Sequence, residues 1–188
     1  MEFFNQTYIA LRGPTGAPQT AEDIISKLAD RLSPATLLGD RRAAVLSLKG
    51  LVRTHRADVG ARALPGLLGV LAHDATLDAD IARATLETLG ALCDPAEDAA
   101  LAQAHADQLL AEQGAPDALW ALLSDQTFYV RFGTLQLLVQ LLQIRRQVVQ
   151  GLFLKAPEGA RGVVACLEDR REIIRNGKSY INLDRRYF

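Results

Sequence analysis

Aromatic residues are scarce in this chain of 188 residues, which has six Phe, four Tyr and one Trp. A sheet core draws on aromatic and β-branched side chains, so the shortage argues against an all-β fold. Net charge is also missing, since 21 basic and 22 acidic residues leave −1 at pH 7. No global basic field is available to hold nucleic acid or an anionic bilayer. The two cysteines, Cys93 and Cys166, lie far apart inside apolar helical patterns. That placement offers no disulfide framework and suits small buried hydrophobes in a reduced compartment. No uninterrupted apolar run approaches the roughly 20 residues that span a bilayer, and even Leu135 to Leu142 is broken by glutamines. The opening MEFFNQTYIALRG has Glu2 where a signal peptide carries basic charge, and Asn5 and Gln6 interrupt its apolar run. A soluble cytoplasmic protein is expected, with any membrane attachment made through partners.

Catalytic patterns are missing too. His55, His73 and His105 are scattered, with no HExxH pair, no Cys or His ligand cluster and no nucleophile elbow. Each reads as a surface or cap histidine. Gly177-Lys178-Ser179 imitates the end of a phosphate-binding loop, but Glu172 stands where the upstream glycine is required and no strand precedes it. No enzyme, cofactor or metal site is expected, and no residue is nominated as partner-binding.

Alanine and leucine dominate what is present, which favours helices packed on helices. Residues 1–19 end in the Gly- and Pro-rich RGPTGAPQ and read as an extended arm. Thr20 is an N-cap signal for a helix to about Arg31, with Glu22 and Asp23 in its first turn. Ser33-Pro34 reads as a second cap before a short segment through Leu38. Asp40 opens a helix with Ala44, Val45, Leu48, Leu51 and Val52 buried. In 60–74 Pro65 should start or kink the helix. Helices follow over 78–93, 99–112, 114–123, 128–142, 144–154 and 159–167, and the last element starts at Asp169.

These segments repeat. With Arg41, Ala82, Arg131 and Arg175 taken as equivalent, Val45, Leu86 and Leu135 coincide, as do Leu48, Leu89 and Leu138. The offsets are 41, 49 and 44 residues, close to the roughly 40 to 47 of armadillo and HEAT units. The expected fold is all-α, an armadillo/HEAT-like right-handed solenoid over 20–176 that is incomplete at the C-terminus, with a divergent tail at 177–188. Neighbouring units stack because none can bury its apolar face alone. An open last unit is expected to fray over Val163 to Asn176 or to self-associate.

Several polar features invite a functional reading. Trp120 and Phe128 sit at helical spacing beside leucines and read as core before interface anchors. The pairs Arg41-Arg42, Arg145-Arg146, Arg170-Arg171 and Arg185-Arg186 read as solvated charge before a partner-binding ridge. Asp125 with Arg131, and Asp169 with Arg175, read as helix caps and inter-repeat lacing.

DIISKLADRLSPATLLGDRRAAVLSLKGL, LETL at Leu86 to Leu89, FYVRFGTLQLL at Phe128 to Leu138 and DRREIIRN at Asp169 to Asn176 resemble the N-terminal globular head of the Uso-type general vesicular transport factor family. The resemblance covers about Thr20 to Asn176. It implies an armadillo-like head acting in vesicle tethering and ER-to-Golgi transport, peripherally on Golgi membranes. Its implied partners are a Rab GTPase, golgins and SNARE proteins. In the family a dimerising coiled coil and an acidic tail follow a longer head, whereas no heptad run occurs here. GKSYINLDRRYF turns polar where the family continues apolar, which suggests a truncated gene model or isoform. The alternative is an armadillo or HEAT adaptor of another pathway.

Overall fold

A computed structural model describes residues 19–175. The expected arm, apart from Gln19, and the expected tail, with its Gly177-Lys178-Ser179, lie outside the described residues. Nine helices are present among them: α1 (Ala21–Asp30), α2 (Leu38–Leu51), α3 (Arg56–His73), α4 (Ala79–Leu92), α5 (Ala99–Ala111), α6 (Ala115–Leu122), α7 (Phe128–Lys155), α8 (Pro157–Leu167) and α9 (Glu172–Arg175).

Local chemistry sets their ends. The Thr20 hydroxyl accepts the Asp23 N–H at 3.1 Å while the Asp23 carboxylate accepts the Thr20 N–H at 3.2 Å, a reciprocal capping box that starts α1. Asp78 caps α4 by accepting the N–H groups of Asp80 and Ile81, and Asp98 caps α5 through Leu101. Gly114 turns the chain from α5 into α6 at a φ of 86°, a left-handed conformation that suits glycine.

The helices form two rows. In one, α2, α4 and α7 lie side by side; in the other, α1, α3, α6 and α8 do. Helix α5 is wedged against α7, α3 and α6, and it accounts for the longer second period. One apolar core runs from Ile25 to Ile174. Val45, Leu86, Leu48, Leu89 and Leu138, aligned by the repeat, are all buried in it, while Leu135 is partly buried. Trp120 packs edge-on against Phe153 at 5.7 Å and is core, as its spacing indicated.

Two expectations change. Ser33-Pro34 starts no helix, because the Thr36 hydroxyl takes the carbonyls of Arg31 and Ser33 at 2.7 Å and holds the segment as turns. Pro65 lies inside α3, on its exposed side, where the Ala61 carbonyl that loses its partner can turn to water. The two helices expected on either side of Gln143 follow each other within α7, parted by a kink at Arg145, whose φ of −132° and ψ of 52° leave the helical region.

Candidate partner-binding surface

Of the paired arginines, Arg41 is drawn into the fold, while Arg146, Arg170 and Arg171 are exposed, as expected of solvated charge. Arg41 is 12% exposed, and its guanidinium binds the Asp74 carboxylate in a fork at 2.6 and 2.7 Å. It also donates to the Thr36 carbonyl. Its repeat equivalent Arg131 donates to the Asp125 carbonyl at 2.7 Å and to the Asp169 carboxylate at 2.5 Å. The expected Asp125–Arg131 contact thus uses the backbone of Asp125, whose carboxylate instead accepts the Thr127 N–H at 2.6 Å. Asp169 reaches back to Arg131 rather than only onward; the side chain of Arg175 lies outside the described set. Arg42 pairs with Asp78, and Arg145 forks onto Asp107 of α5 at 2.5 Å, at the kink of α7. Arg171 covers the Phe128 ring at 4.1 Å, and the pair Arg185-Arg186 lies outside the described residues.

These clasps tune their own groups. The Asp74 hydrogen bonds raise the Arg41 guanidinium further. The Arg171 backbone N–H, helped by Arg131, holds the Asp169 carboxyl below its ordinary value, and Arg145 does the same for Asp107. Both cysteines are buried; burial pushes the Cys93 thiol up to about 12 and raises Cys166 as well. They are inert small side chains.

His105 is a cap histidine, as one of its two expected roles had it, but it caps a neighbouring helix from inside the core rather than at the surface. It is 3% exposed, and its Nδ1 donates to the Leu92 carbonyl at 2.9 Å. Arg56 donates to the same carbonyl and to that of Asp94 at 2.7 and 2.6 Å, so two elements fill the open C-terminus of α4. Gly60 makes room for the imidazole, since a Cβ there would meet Nε2 at 2.1 Å. His55 and His73 stay at the ends of α3, as expected. No cluster of three or more potential metal ligands occurs among the described residues.

A trough of about 350 Å³ lies across α2, α4 and α7. Buried Val52, Leu86 and Leu137 form its floor. Gly90 and Gly133 leave the backbones of α4 and α7 bare along it, and neither glycine is forced by packing: a Cβ would meet only ordinary contacts, at 3.4 and 3.5 Å. Lys49 and Glu87 neutralise each other at one rim, and Asp94 is engaged by the Ala96 N–H. Arg53 is exposed and has no partner among the described residues. Gln140 holds a buried Oε1 with no hydrogen-bond partner. A second, larger cleft of about 560 Å³ lies over Trp120 between α6 and α8, lined by Asp117, Ser124, Lys155 and Arg161.

Comparison with known proteins places this geometry. No family model matches the chain. It is 33% identical to the human general vesicular transport factor over 176 residues, covering 87% of this chain. It is 31% identical to the intracellular protein transport protein of Schizosaccharomyces pombe over 183 residues, 96% of this chain. The chain belongs to the Uso1-type family of general vesicular transport factors. A golgin candidate of Arabidopsis thaliana is 34% identical over 82% of the chain. Crystal structures of Uso1 superpose with TM-scores of 0.75 and 0.72 at 28% and 26% identity, covering 83% and 87% of this chain and 28% and 29% of theirs. The two helix rows are therefore the armadillo-like solenoid of the Uso1-type head. The chain spans about a fifth or less of the length of these curated relatives, 18%, 17% and 18% respectively.

Local sequence reasoning could not find the trough, because its residues come from three repeats. Leu137 was passed over in favour of Leu135 and Leu138. The signal available was Gly90 and Gly133, glycines inside strong helical patterns, which cost helix stability without a turn to explain them.

Proposed function

We propose that this chain is a non-enzymatic, protein-binding head segment of a vesicle-tethering factor in ER-to-Golgi and intra-Golgi transport. The observation that carries the reading is the match to vesicular transport factors, colinear over 87% and 96% of the chain. The structure supports it: Arg41, Arg42 and Arg131 are spent on joining repeats, and the helical rows offer an extended surface. Such a surface suits proteins better than small molecules, with affinity held by a few anchors and charge guiding encounter. No helix among the described residues is long and apolar enough to cross a membrane, so attachment to Golgi membranes runs through partners. A Rab GTPase, golgins and SNARE proteins are the proposed ones.

The test is affinity capture from cell extract with the 188-residue chain, quantified against an unrelated armadillo domain. Golgi tethering components enriched over that control are the expected result. Nuclear or cytoskeletal partners in their place would transfer the chain to an adaptor role in another pathway.

A further inference from the structure

We infer that Ser33 is a phosphorylation site for a proline-directed serine/threonine kinase, and that Arg31 holds the phosphate once it is attached. This goes beyond the tethering reading and does not rest on it.

Ser33 is the one Ser or Thr of the chain that a proline follows. Proline has no backbone N–H, so a kinase cleft with no acceptor at the next position takes Pro34 without leaving a donor unpaired. The fold keeps this pair within reach. Ser33, Pro34 and Ala35 are all exposed, on the turns between α1 and α2. Pro34 disfavours helical backbone at Ser33, and the Thr36 N–H closes a turn on the Ser33 carbonyl at 3.0 Å. Among the described residues the Ser33 Oγ meets the Ala35 N–H alone, at 3.3 Å. Drawing the pair outward into a cleft breaks the bonds of a turn and none within a helix, which makes it a small local opening.

The transfer uses ATP bound by the kinase. The Ser33 Oγ attacks the γ-phosphorus, and the new O–P bond forms as the bond from that phosphorus to the β,γ-bridging oxygen breaks. The hydroxyl proton passes to the kinase's base, and ADP leaves with the bond's electron pair.

Two arginines border the turn, and their present bonds decide which takes the phosphate. The phosphate brings about −1.5 to −2 of charge at pH 7 and three acceptor oxygens. On Arg41, Nε and Nη2 are taken by Asp74, and Nη1 by the Thr36 and Pro34 carbonyls. Arg31, two residues before Ser33, makes one contact of 3.3 Å with Asp40, and both side chains are open to water at 36% and 51%. The phosphate therefore draws Arg31 from Asp40 in a charge-assisted contact and leaves the Arg41 clasp whole. The result is a change of surface charge beside Leu37, which is 76% exposed, in a head that stays folded. A partner seated on this edge meets that charge directly.

The test incubates the full 188-residue chain with a proline-directed kinase and magnesium ATP and locates the phosphate by mass spectrometry. One phosphate is expected, on Ser33, at a rate within about tenfold of that for a free peptide spanning 27–39, since only a turn has to open. Ser33→Ala and Pro34→Ala should each abolish the transfer, and Ser33→Ala, at an exposed position, should keep the wild-type melting temperature. The phosphorylated chain should melt within about 2–4 °C of the unmodified one. By phosphorus NMR its phosphate should titrate at a lower pH than in phosphorylated Arg31→Ala, the carboxylates of Asp30 and Asp40 being common to both. Transfer to another residue, an unchanged rate in Pro34→Ala, or a folded chain far slower than the peptide would overturn the site. Equal titration with and without Arg31, or unfolding on phosphorylation, would overturn the pairing.

Discussion

At the scale of single residues, the same residue type does opposite work according to what lies one repeat away. Arg131 is 17% exposed and Asp169 10%, so their ion pair is largely dry, and it is backed by the Asp125 carbonyl. Arg131→Ala removes a charged donor from a half-buried carboxylate, which should cost about 1–3 kcal/mol in urea unfolding. Arg131→Asp alone should cost at least as much, and adding Asp169→Arg should restore part of it. Combining Arg131→Asp with Asp125→Arg should restore nothing, because only the backbone of Asp125 meets Arg131; recovery in that pair would refute the assignment. Glycines divide in the same way. Gly60→Ala drives a methyl into the His105 imidazole and should destabilise by about 1–3 kcal/mol. Gly133→Ala meets only ordinary contacts and should stabilise by up to about 1 kcal/mol, read from the same urea curves.

At the scale of elements, α7 is held by carboxylates at its first turn and at its kink. Asp169 clasps its first turn through Arg131, and Asp107 clasps its kink through Arg145. Both carboxyls titrate below the ordinary 3.8 in the folded chain. A lowered folded value means that the unfolded chain takes up the proton first. The stability they contribute is therefore complete above about pH 4 and is lost as pH falls through the folded values. The melting temperature should drop over that acid window, and the double variant Asp107→Asn, Asp169→Asn should show a shallower drop from a lower start. An unchanged slope would mean that other carboxylates govern acid unfolding. The helices themselves were legible in the sequence, since leucine spacing and the Thr20 cap act within one turn. The break in α7 was legible to within two residues, at Gln143. The burial of His105 was not, because it depends on partners outside the local pattern, at Gly60 and the Leu92 carbonyl.

At the scale of the whole molecule, the sequence repeat foretold the stacking but not what joins one unit to the next. Arg41 reaches Asp74 33 residues on, Arg42 reaches Asp78 36 residues on, and Arg131 reaches Asp169 38 residues on. Each step is a little under one period, so an arginine at one helix start finds the acid that precedes the next unit's corresponding helix. Periodicity alone could not reveal this, because Ala82 breaks the series in the middle unit. In a solenoid, stability is a sum of units and of the interfaces between them. Cutting a clasp should therefore weaken coupling as well as total stability. The single tryptophan, Trp120, reports on α6 against Phe153, while far-UV circular dichroism reports on all the helices. In the unmodified chain the two signals should melt together. In Arg41→Ala, α1 and α2 lose their hold on the turn at Asp74, so helicity should begin to fall several degrees before Trp120 responds. Coincident curves in that variant would show that the apolar core between α1, α2, α3 and α4 couples the units without the clasp, and the arginines would then be adjusting stability rather than joining repeats.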